Sequence, residues 1–314
     1  FTTQNIAPFI ENTFRFGENI SVTPGLRYEH IRSTISGYKP NAAEDGLIHA
    51  DASTTRNILL MGVGAQFRTS SSTNVYANWS QAYRPIDYSS LIPLGSIASV
   101  DPGLKDSKGY NLDLGFRGSV KNYLNFDVGV FFLRYDDRIG VIETANGPFR
   151  TNVADSEHKG IESYIEFSPV KAFAAPGKFN FSFFNSLAAL EAKYVSGDFA
   201  GKYVEYAPRI INRFGATARL SDISTTFLVS ATGESYGDAS NAETGSEDAV
   251  AGLIPAYTVL DWSLTYRHKG YNLKFGVNNL ADKRYFTKRT DEYPGPGIIP
   301  SAGRSFYVGV GAKF

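Results

Sequence analysis

The 314-residue sequence lacks cysteine, contains a single methionine and has no surplus of either charge, since 31 Lys and Arg balance 31 Asp and Glu. The missing cysteine excludes disulfide scaffolds and thiolate metal sites within these residues. The balanced charge gives no support for a nucleic-acid partner, because nucleic-acid-binding proteins usually carry a basic surplus. No apolar run approaches the roughly 20 residues that a transmembrane helix needs.

Aromatic residues and glycine are abundant instead, with 23 Phe, 19 Tyr and 30 Gly, while hydrophobic residues make up only 42% of the chain. This composition favours many partly exposed strands over a helical bundle. A transmembrane strand needs only about 9–11 residues, of which alternate ones are apolar. Alternation along the chain therefore tests for membrane crossing where mean hydropathy does not.

Period-two alternation is clear along the chain. Around residue 112, apolar Tyr110, Leu112 and Leu114 alternate with polar Asn111 and Asp113. Similar patterns predict about thirteen antiparallel strands, near residues 4–15, 20–30, 57–68, 74–83, 107–118, 123–137, 158–168, 178–190, 211–220, 224–234, 255–267, 271–285 and 304–314. The predicted fold class is all-β.

The predicted connections are of two kinds that alternate along the chain. Short turns are expected at 16–19, 69–73, 119–122, 221–223 and 268–270, and long polar loops at 31–56, 84–106, 138–157, 191–210, 235–251 and 286–303. One rim of short turns and one rim of long loops is typical of an outer-membrane β-barrel. The sequence therefore predicts a transmembrane antiparallel β-barrel.

The energetics of the bilayer decides which face of each strand meets lipid. A Lys or Arg on the lipid face at the bilayer midplane costs about 2–4 kcal/mol. The polar residues that alternate with apolar ones are therefore expected to point into the lumen, namely Asn111, Asp113, Arg117, Arg213 and Arg219. Aromatic belts are expected at Tyr28 and Tyr110 on the outer side, and at Phe67, Tyr266 and Phe314 on the inner side.

The number of predicted strands, thirteen, is odd. Single-chain bacterial barrels have an even number of strands. We therefore expect a preceding strand before Phe1, so that residues 1–314 form the C-terminal portion of one barrel domain.

Several motifs resemble those of TonB-dependent outer-membrane receptors. The most specific are residues 276–286 (GVNNLADKRYF), the two segments 294–297 (PGPG) and 303–307 (GRSFY), and the last two residues, Lys313 and Phe314. Residues 23–29 (TPGLRYE), 79–85 (WSQAYRP) and 101–105 (DPGLK) are also similar, although Asp106 and Ser107 stand where the family usually has Pro-Glu. The resemblance covers nearly the whole chain.

The resemblance implies the last thirteen strands, ten to twenty-two, of a 22-stranded barrel closed by an N-terminal plug, which is not in this sequence. It implies the bacterial outer membrane, and uptake of a ferric siderophore or ferric citrate driven by the TonB–ExbB–ExbD complex. Residues 96–102 (SIASVDP) and 293–297 (YPGPG) resemble the ferric-citrate branch. Lipopolysaccharide, outer-membrane lipid and the barrel-assembly machinery are further implied partners.

Candidate ligand-binding residues are arginines, because the planar guanidinium fork matches a carboxylate. Luminal alternation near the outer rim selects Arg27, Arg84 and Arg213, while Arg150 and Arg289 lie in predicted loops. Arg134 has lipid-side alternation and is expected to face lipopolysaccharide. The resemblance also assigns a barrel-assembly signal to alternate residues of the last strand, namely Phe306, Val308, Val310, Ala312 and Phe314. The competing interpretation is that each arginine pairs with a luminal Glu or Asp, or with lipopolysaccharide phosphates.

No catalytic or cofactor motif emerges from the sequence. The four histidines, His30, His49, His158 and His268, lack metal-ligand spacing, and no nucleophile motif orders the many serines. We therefore expect a transporter with no cofactor. A passive porin and an outer-membrane enzyme with its catalytic residues at the rim remain the alternatives.

Overall fold

The computed structural model describes residues 2–40, 47–86, 99–144, 147–175, 177–290 and 296–313. The strands of the first half are β1 (Thr2–Ile6), β2 (Phe9–Glu11), β3 (Phe14–Phe16), β4 (Ile20–Pro40), β5 (Leu47–Arg68), β6 (Thr73–Arg84), β7 (Ser99–Val100), β8 (Ser107–Val120), β9 (Leu124–Thr144) and β10 (Gly147–Phe167). A short helix, α1 (Pro169–Phe173), separates them from β11 (Phe179–Tyr194), β12 (Ile210–Leu220), β13 (Ile223–Thr232), β14 (Ser235–Tyr236), β15 (Leu253–Ile254), β16 (Tyr257–His268), β17 (Tyr271–Asn278), β18 (Phe286–Thr290), β19 (Gly297–Pro300) and β20 (Ser305–Ala312).

One antiparallel sheet dominates the structure. Its main path runs β1-β4-β5-β6-β8-β9-β10-β11-β12-β13-β16-β17-β20, which is thirteen positions. The strands β2 and β3 continue β1, since all three pair with β4; Pro8, which has no N–H to donate, lies in the gap between β1 and β2. The predicted all-β antiparallel class and its thirteen strands are confirmed. Among the described residues, β1 and β20 do not pair with each other.

Two segments predicted as long loops are mostly strand, so those predictions are wrong. The strands β4 and β5 pair continuously from Ile20 opposite Phe67 to Pro40 opposite Leu47, which places most of 31–56 in a hairpin. The strands β9 and β10 likewise pair as far as Thr144 opposite Gly147. These extensions lie past the apolar stripe, where the outward face is polar and Ile31 and Ile35 are buried on the opposite face. Backbone pairing continues there without the alternation that marks a strand in the sequence.

The strand predicted over 271–285 also ends earlier, at Asn278. The next residue, Asn279, has a left-handed φ of 52°. Its side chain bonds the backbone of Lys283 in both directions, at 2.8 and 2.9 Å. The chain therefore leaves the sheet in a side-chain-stabilised turn, as asparagine readily allows.

Short connections lie at one end of the sheet, which we name the turn rim, and longer ones lie at the other, the loop rim. Three of the turns place a non-glycine residue in the left-handed region, at Lys121 (φ 47°), Ser221 (φ 51°) and Lys269 (φ 50°). The helix α1, which the sequence did not predict, also lies at the turn rim and begins with Pro169. The predicted sorting of turns and loops is thus observed. No helix in the described segments is long and apolar enough to cross a membrane.

The register separates the sheet into a polar and an apolar face. Residues opposite each other share a face, and one row runs through Arg117, Asp127, Tyr164, Ser186 and Arg213. The five residues expected to point inward, Asn111, Asp113, Arg117, Arg213 and Arg219, all have polar-face register.

The apolar face carries large side chains with high exposure. Leu112, Leu114 and Phe214 are 47%, 51% and 44% exposed. Such a continuous exposed apolar surface marks contact with lipid or protein rather than water. Tyr28, Tyr110, Phe67 and Tyr266 lie on it, as the aromatic-belt prediction requires; Phe314 lies outside the described residues.

Aromatic rings cover glycines on the polar face. A Cβ atom added at Gly215 would meet the Phe184 ring at 2.1 Å, and one at Gly276 would meet Tyr307 at 2.3 Å. Tyr76 covers Gly115 in the same way. The glycines therefore make room for rings that lie flat along the wall, which keeps bulky side chains from filling the lumen.

Candidate functional site

The loop-rim end of the sheet contains the small buried core of the molecule. Ala154, Ala192, Tyr194 and Val204 form a cluster in which each residue is at most 6% exposed. Elsewhere the wall is a single layer of strands, so side chains project from both of its faces.

Arg27 lies on the polar face and is ion-paired. Its Nε donates to Glu29 Oε1 at 2.6 Å, and the guanidinium remains 45% exposed. The pair lies beside a cavity of about 500 Å³ that Arg27 lines with residues of β2, β5 and β6. Arg27 is therefore accessible while its charge is partly compensated.

Arg84 and Arg150 lie at strand ends near the loop rim. Arg84 is the last residue of β6, is exposed, and makes no ion pair with any described residue. Arg150 is half-buried near the start of β10, and its carbonyl accepts from Asp101 N–H at 2.8 Å. The strand β10 also pairs there with the short strand β7.

Arg213 lines a cavity of about 470 Å³ in the middle of the polar face. Asp113, Asp127 and Glu162 line the same cavity, together with Tyr76. Tyr76 donates to Asp127 at 2.9 Å, and Asn111 donates to Asp113 at 2.5 Å. The cavity therefore combines one cation with several hydrogen-bonded acids.

Arg289 is buried rather than open to the lumen, being 9% exposed. Its two Nη groups donate to the carbonyls of Ala249 and Leu253 at 2.7 and 2.9 Å. The carbonyl of Arg289 accepts from Tyr206 at 2.9 Å. Arg289 thus joins three loops. Its side chain links the β17–β20 loop to the β13–β16 loop, and its backbone carbonyl links it to Tyr206 in the β11–β12 loop.

Two buried ionic clusters went undetected in the sequence. Arg56 donates to Asp106 at 2.7 and 2.8 Å, and Tyr83 donates to the same carboxylate at 2.6 Å. Asp106 replaces the usual proline of the family motif, which was the one signal that could have identified it. The following residue, Ser107, is fully buried and donates to the Asp137 carbonyl at 2.9 Å.

The second cluster lies beside the buried core. Glu205 accepts from Arg138 and, at 2.6 Å, from Tyr194, and the Arg138 guanidinium lies 5.7 Å from the Tyr194 ring centre. Burial and the bond to Glu205 raise the pKa of Tyr194 far above its ordinary value, so the hydroxyl stays protonated and donates. Because Glu205 lies in a loop, no strand alternation marks it.

Arg134, expected to face lipopolysaccharide, is held by three carboxylates. Its guanidinium contacts Asp136 at 2.5 Å, Glu157 at 2.7 Å and Asp155 at 3.2 Å. The register places Glu157 opposite Arg134 on the apolar face, past the apolar stripe. The lipid-side position is as expected, and the lipopolysaccharide contact stays a prediction.

Histidine and serine contacts do not form a catalytic arrangement. Ser156 Oγ lies 3.1 Å from His158 Nε2, but Ser156 is fully buried and no substrate could reach it. His30 Nδ1 bonds Asn57 at 2.8 Å. Among the described residues, no group of three or more His, Cys, Asp or Glu is arranged to hold a metal ion.

The predicted barrel-assembly signal falls on the last strand. Phe306, Val308 and Val310 are 66%, 74% and 75% exposed, and Ala312 shares their face of β20. Phe314 lies outside the described residues, as do residues 96–98 and 293–295 of the two segments that resemble the ferric-citrate branch.

Comparisons with known proteins agree with this architecture. A family model described as TonB dependent receptor-like, beta-barrel, matches residues 1–280. The ferric citrate transporter FecA in its unliganded form is similar, with a TM-score of 0.79 at 21% identity over 99% of this chain and 45% of that chain. The copper transporter OprC gives 0.79 at 21% identity over 99% and 48%.

A third solved structure is the ferric-catecholate import receptor Fiu from K12 E. coli in its closed form, with a TM-score of 0.75 at 15% identity over 99% of this chain and 45% of that chain. At these identities the likeness shows a shared fold. The chain spans slightly less than half the length of each of these structures.

Proposed function

We propose, because the chain belongs to the TonB-dependent receptor-like β-barrel family, that it forms part of an outer-membrane receptor that takes up a ferric chelate. Residues 1–314 would be the C-terminal portion of its barrel domain, and a plug would precede them in the full receptor. The ligand would bind the extracellular loops and the polar face. It would then pass without covalent chemistry when the TonB–ExbB–ExbD complex moves the plug.

The observation that carries this proposal is the pairing of a polar inner wall with an exposed apolar outer wall. A passing solute would meet arginine, tyrosine and carboxylate side chains around the cavity beside Arg213. The rings of Tyr76 and Phe184 lie flat over glycines, so they project little into the lumen. Such a wall suits a hydrated, oxygen-rich solute better than an apolar one.

An anionic chelate fits the candidate arginines best. Arg84 and Arg213 are exposed cations, Arg27 lies on the same polar face, and Arg150 lies near the start of β10. Guanidinium groups bind carboxylates through two parallel hydrogen bonds, so a ferric carboxylate such as ferric citrate is the proposed class. Arg289 would contribute mainly by holding the loops through which the ligand enters.

A chelated metal fits this chain better than a bare soft metal. Copper(I) prefers thiolate and thioether ligands, and the chain contains no Cys and one Met, Met61. Met61 has apolar-face register, away from the lumen. The likeness to a copper transporter is therefore not proposed to extend to copper.

The membrane partners follow from the two outer surfaces. The apolar face would contact outer-membrane lipid, and the charged groups around Arg134 and Lys159 would lie at the level of lipopolysaccharide. The alternate apolar residues of β20 would present the signal that the barrel-assembly machinery reads.

Binding and uptake by the full-length receptor test the proposal. We would measure binding of ferric citrate, a ferric hydroxamate and a ferric catecholate, and then iron uptake with and without an energised inner membrane. Changing Arg84→Ala or Arg213→Ala should weaken ferric-citrate binding about tenfold, since a charged hydrogen bond contributes about 1.5–3 kcal/mol. Arg219→Ala, a polar-face change near the turn rim, is the matched control.

Other results would point elsewhere. Tighter binding of another chelate, unchanged by both substitutions, would contradict the anion proposal. Uptake that persists without an energised inner membrane would indicate a passive porin. Turnover of a hydrolysable substrate, abolished by one Ser or Asp change, would indicate an outer-membrane enzyme.

A further inference from the structure

Three arginines at the turn-rim end of the polar face make no ion pair with a described carboxylate. Arg15, Arg68 and Arg117 line one cavity of about 540 Å³, and all three are exposed. Within the described part of the chain, none of them makes an ion pair. This contrasts with Arg56 and Arg138 at the other end, which are paired to Asp106 and Glu205.

The register fixes the three side chains near one another. Arg68 lies opposite Asn74, and Asn74 lies opposite Arg117, so the two arginines occupy one row separated by a single strand. Two strand spacings put their backbones about 10 Å apart. Arg15 lies opposite Ser21, in a neighbouring row.

The other groups at the cavity offset this charge only in part. Arg117 donates to Asn74 at 3.3 Å and lies 5.0 Å from the Tyr76 ring centre, which orients it without adding a negative charge. Asp127 lies directly opposite Arg117 in the register, so it offsets part of the Arg117 charge without an ion pair, and it accepts from Tyr76. Glu18 lies in the adjoining turn and lines a second cavity with Arg15 and Arg68 without an ion pair to either.

The remaining lining residues are hydrogen-bonding groups. Thr13, Ser21, Thr23, Gln66 and Asn78 surround the arginines. Guanidinium forks with hydroxyl and amide donors are the usual groups that bind carboxylate or phosphate oxygens. The cavity also lies within the usual size range of small-molecule sites, about 300–1,000 Å³.

We propose that Arg15, Arg68 and Arg117 form an oxyanion-binding site, the inner arginine site, at the turn-rim end of the lumen. Its ligand is a carboxylate group, which can come from two sources. A carboxylate-bearing chelate can occupy it on the way to the periplasm, or carboxylate side chains from the rest of the receptor can. The first source rests on the function proposed above, whereas the site itself does not.

Charge-selective thiol labelling tests the site without iron or uptake. Residues 1–314 contain no cysteine, so Ser21→Cys puts their single thiol in the cavity, and labelling of the receptor with Ser21 unchanged gives the background to subtract. We would compare its reaction rates with anionic sulfonatoethyl and cationic trimethylammonium-ethyl methanethiosulfonate, using full-length receptor in isolated outer membranes. Ser263→Cys, on the polar face of β16 opposite Thr226 and Gly276, is the matched control.

The expected result is a reagent preference that depends on the arginines. For an open site, the anionic reagent should react about tenfold faster, as a local potential of a few kT implies. Added citrate should slow that reaction. Changing all three arginines to Gln should abolish the preference, while changing them to Lys should retain most of it, and the control cysteine should show neither effect.

The second source gives a different pattern. If carboxylate side chains of the receptor occupy the site, the Ser21→Cys variant with its three native arginines should react equally fast with both reagents. Citrate should then have no effect on either rate. The triple Gln variant should then prefer the cationic reagent several-fold, because its carboxylates are uncovered. The proposed site would be contradicted if the ratio of anionic to cationic labelling rates were the same with native arginines and in the triple Gln variant. It would also be contradicted if the thiol reacted in neither protein. Gel mobility before and after heating would verify that each variant is folded.

Discussion

The two ends of the sheet use the same residue types in opposite ways. At the loop rim, several charged groups are paired and partly buried, as in Arg56 with Asp106, where the arginine side chain is 6% exposed, whereas Arg84 is exposed. At the turn rim, Arg15, Arg68 and Arg117 are exposed and have no ion pair with described residues. The loop-rim charges therefore hold the structure together, and the turn-rim charges remain available for a ligand.

The difference follows from how the chain is connected at each end. Long segments at the loop rim fold back over the strands and exclude water around Tyr194 and Val204. Short turns at the other end have too few residues to cover anything. Charges left uncovered stay solvated, so they need no partner within the wall.

The largest expected effect breaks the buried pair at the loop rim. Changing Asp106→Ala leaves the Arg56 charge buried without its partner, which should cost about 3–5 kcal/mol locally. Hydrogen exchange of the amides around Arg56, measured in the full-length receptor, gives that free energy of opening.

The exposed pair at Arg27 is the control for that experiment. Glu29→Ala removes a carboxylate whose partner is 45% exposed, so the cost should be only about 0–1 kcal/mol. A double change, Arg56→Met with Asp106→Leu, should recover most of the loss. Equal losses in the two single variants would contradict the contrast between buried and exposed pairs.

A smaller effect is expected from releasing the β13–β16 loop, whose carbonyls accept from the Arg289 side chain. Arg289→Ala removes two donors to buried carbonyls and should cost about 2 kcal/mol, seen as faster exchange of amides 249–253. Arg284→Ala is the matched control, because that side chain is 81% exposed. Unchanged exchange in the Arg289 variant would show that the loops hold together without it.

At the turn rim, glycine should stabilise the left-handed positions. Each of Lys121→Gly, Ser221→Gly and Lys269→Gly should gain about 1 kcal/mol, because a left-handed conformation costs that much for a residue with a Cβ atom. Urea unfolding followed by tryptophan fluorescence would measure the gain. Asn122→Gly, next to Lys121 but without a positive φ, should be neutral or slightly destabilising.

The smallest effect concerns pH at an exposed loop-rim carboxylate. Asp282 accepts from the Arg304 N–H at 2.9 Å, and that bond, with the Arg284 charge, holds the pKa of Asp282 below its ordinary 3.8. Its stabilisation is therefore complete above pH 3.8 and is lost as pH falls through the lowered pKa. Pepsin cleavage within 279–304 should accelerate in that acid range, and Asp282→Asn should remove the pH dependence without preventing cleavage.

Alternation predicted the fold well wherever one face of a strand meets lipid. The strand over 107–118 was placed almost correctly as β8, because Leu112 and Leu114 alternate with Asn111 and Asp113. The hairpins formed by β4 with β5 and by β9 with β10 were underestimated. Past the apolar stripe their outward face is polar, so they lose the alternation that marks a lipid-facing strand, although Ile31 and Ile35 are buried on the other face.

The candidate arginines were predicted less completely than the strands. Alternation correctly put Arg27 and Arg213 on the polar face, but it could not show that Arg27 is ion-paired and that Arg213 shares its cavity with acids. Arg289 was expected over the mouth of the barrel and instead joins three loops. Its partners, Ala249 and Leu253, are backbone carbonyls, which carry no sequence signal.

The sequence alone determined the class of fold, the two faces of each strand and the two unlike rims, because the bilayer requires an apolar residue at every second position. The tertiary structure decided which charges are paired and which are free. Arg56 and Asp106 are 50 residues apart, and Arg138 and Glu205 are 67 apart. Only the folding of loops onto strands brings such groups within hydrogen-bond distance and removes the water that would otherwise weaken their attraction.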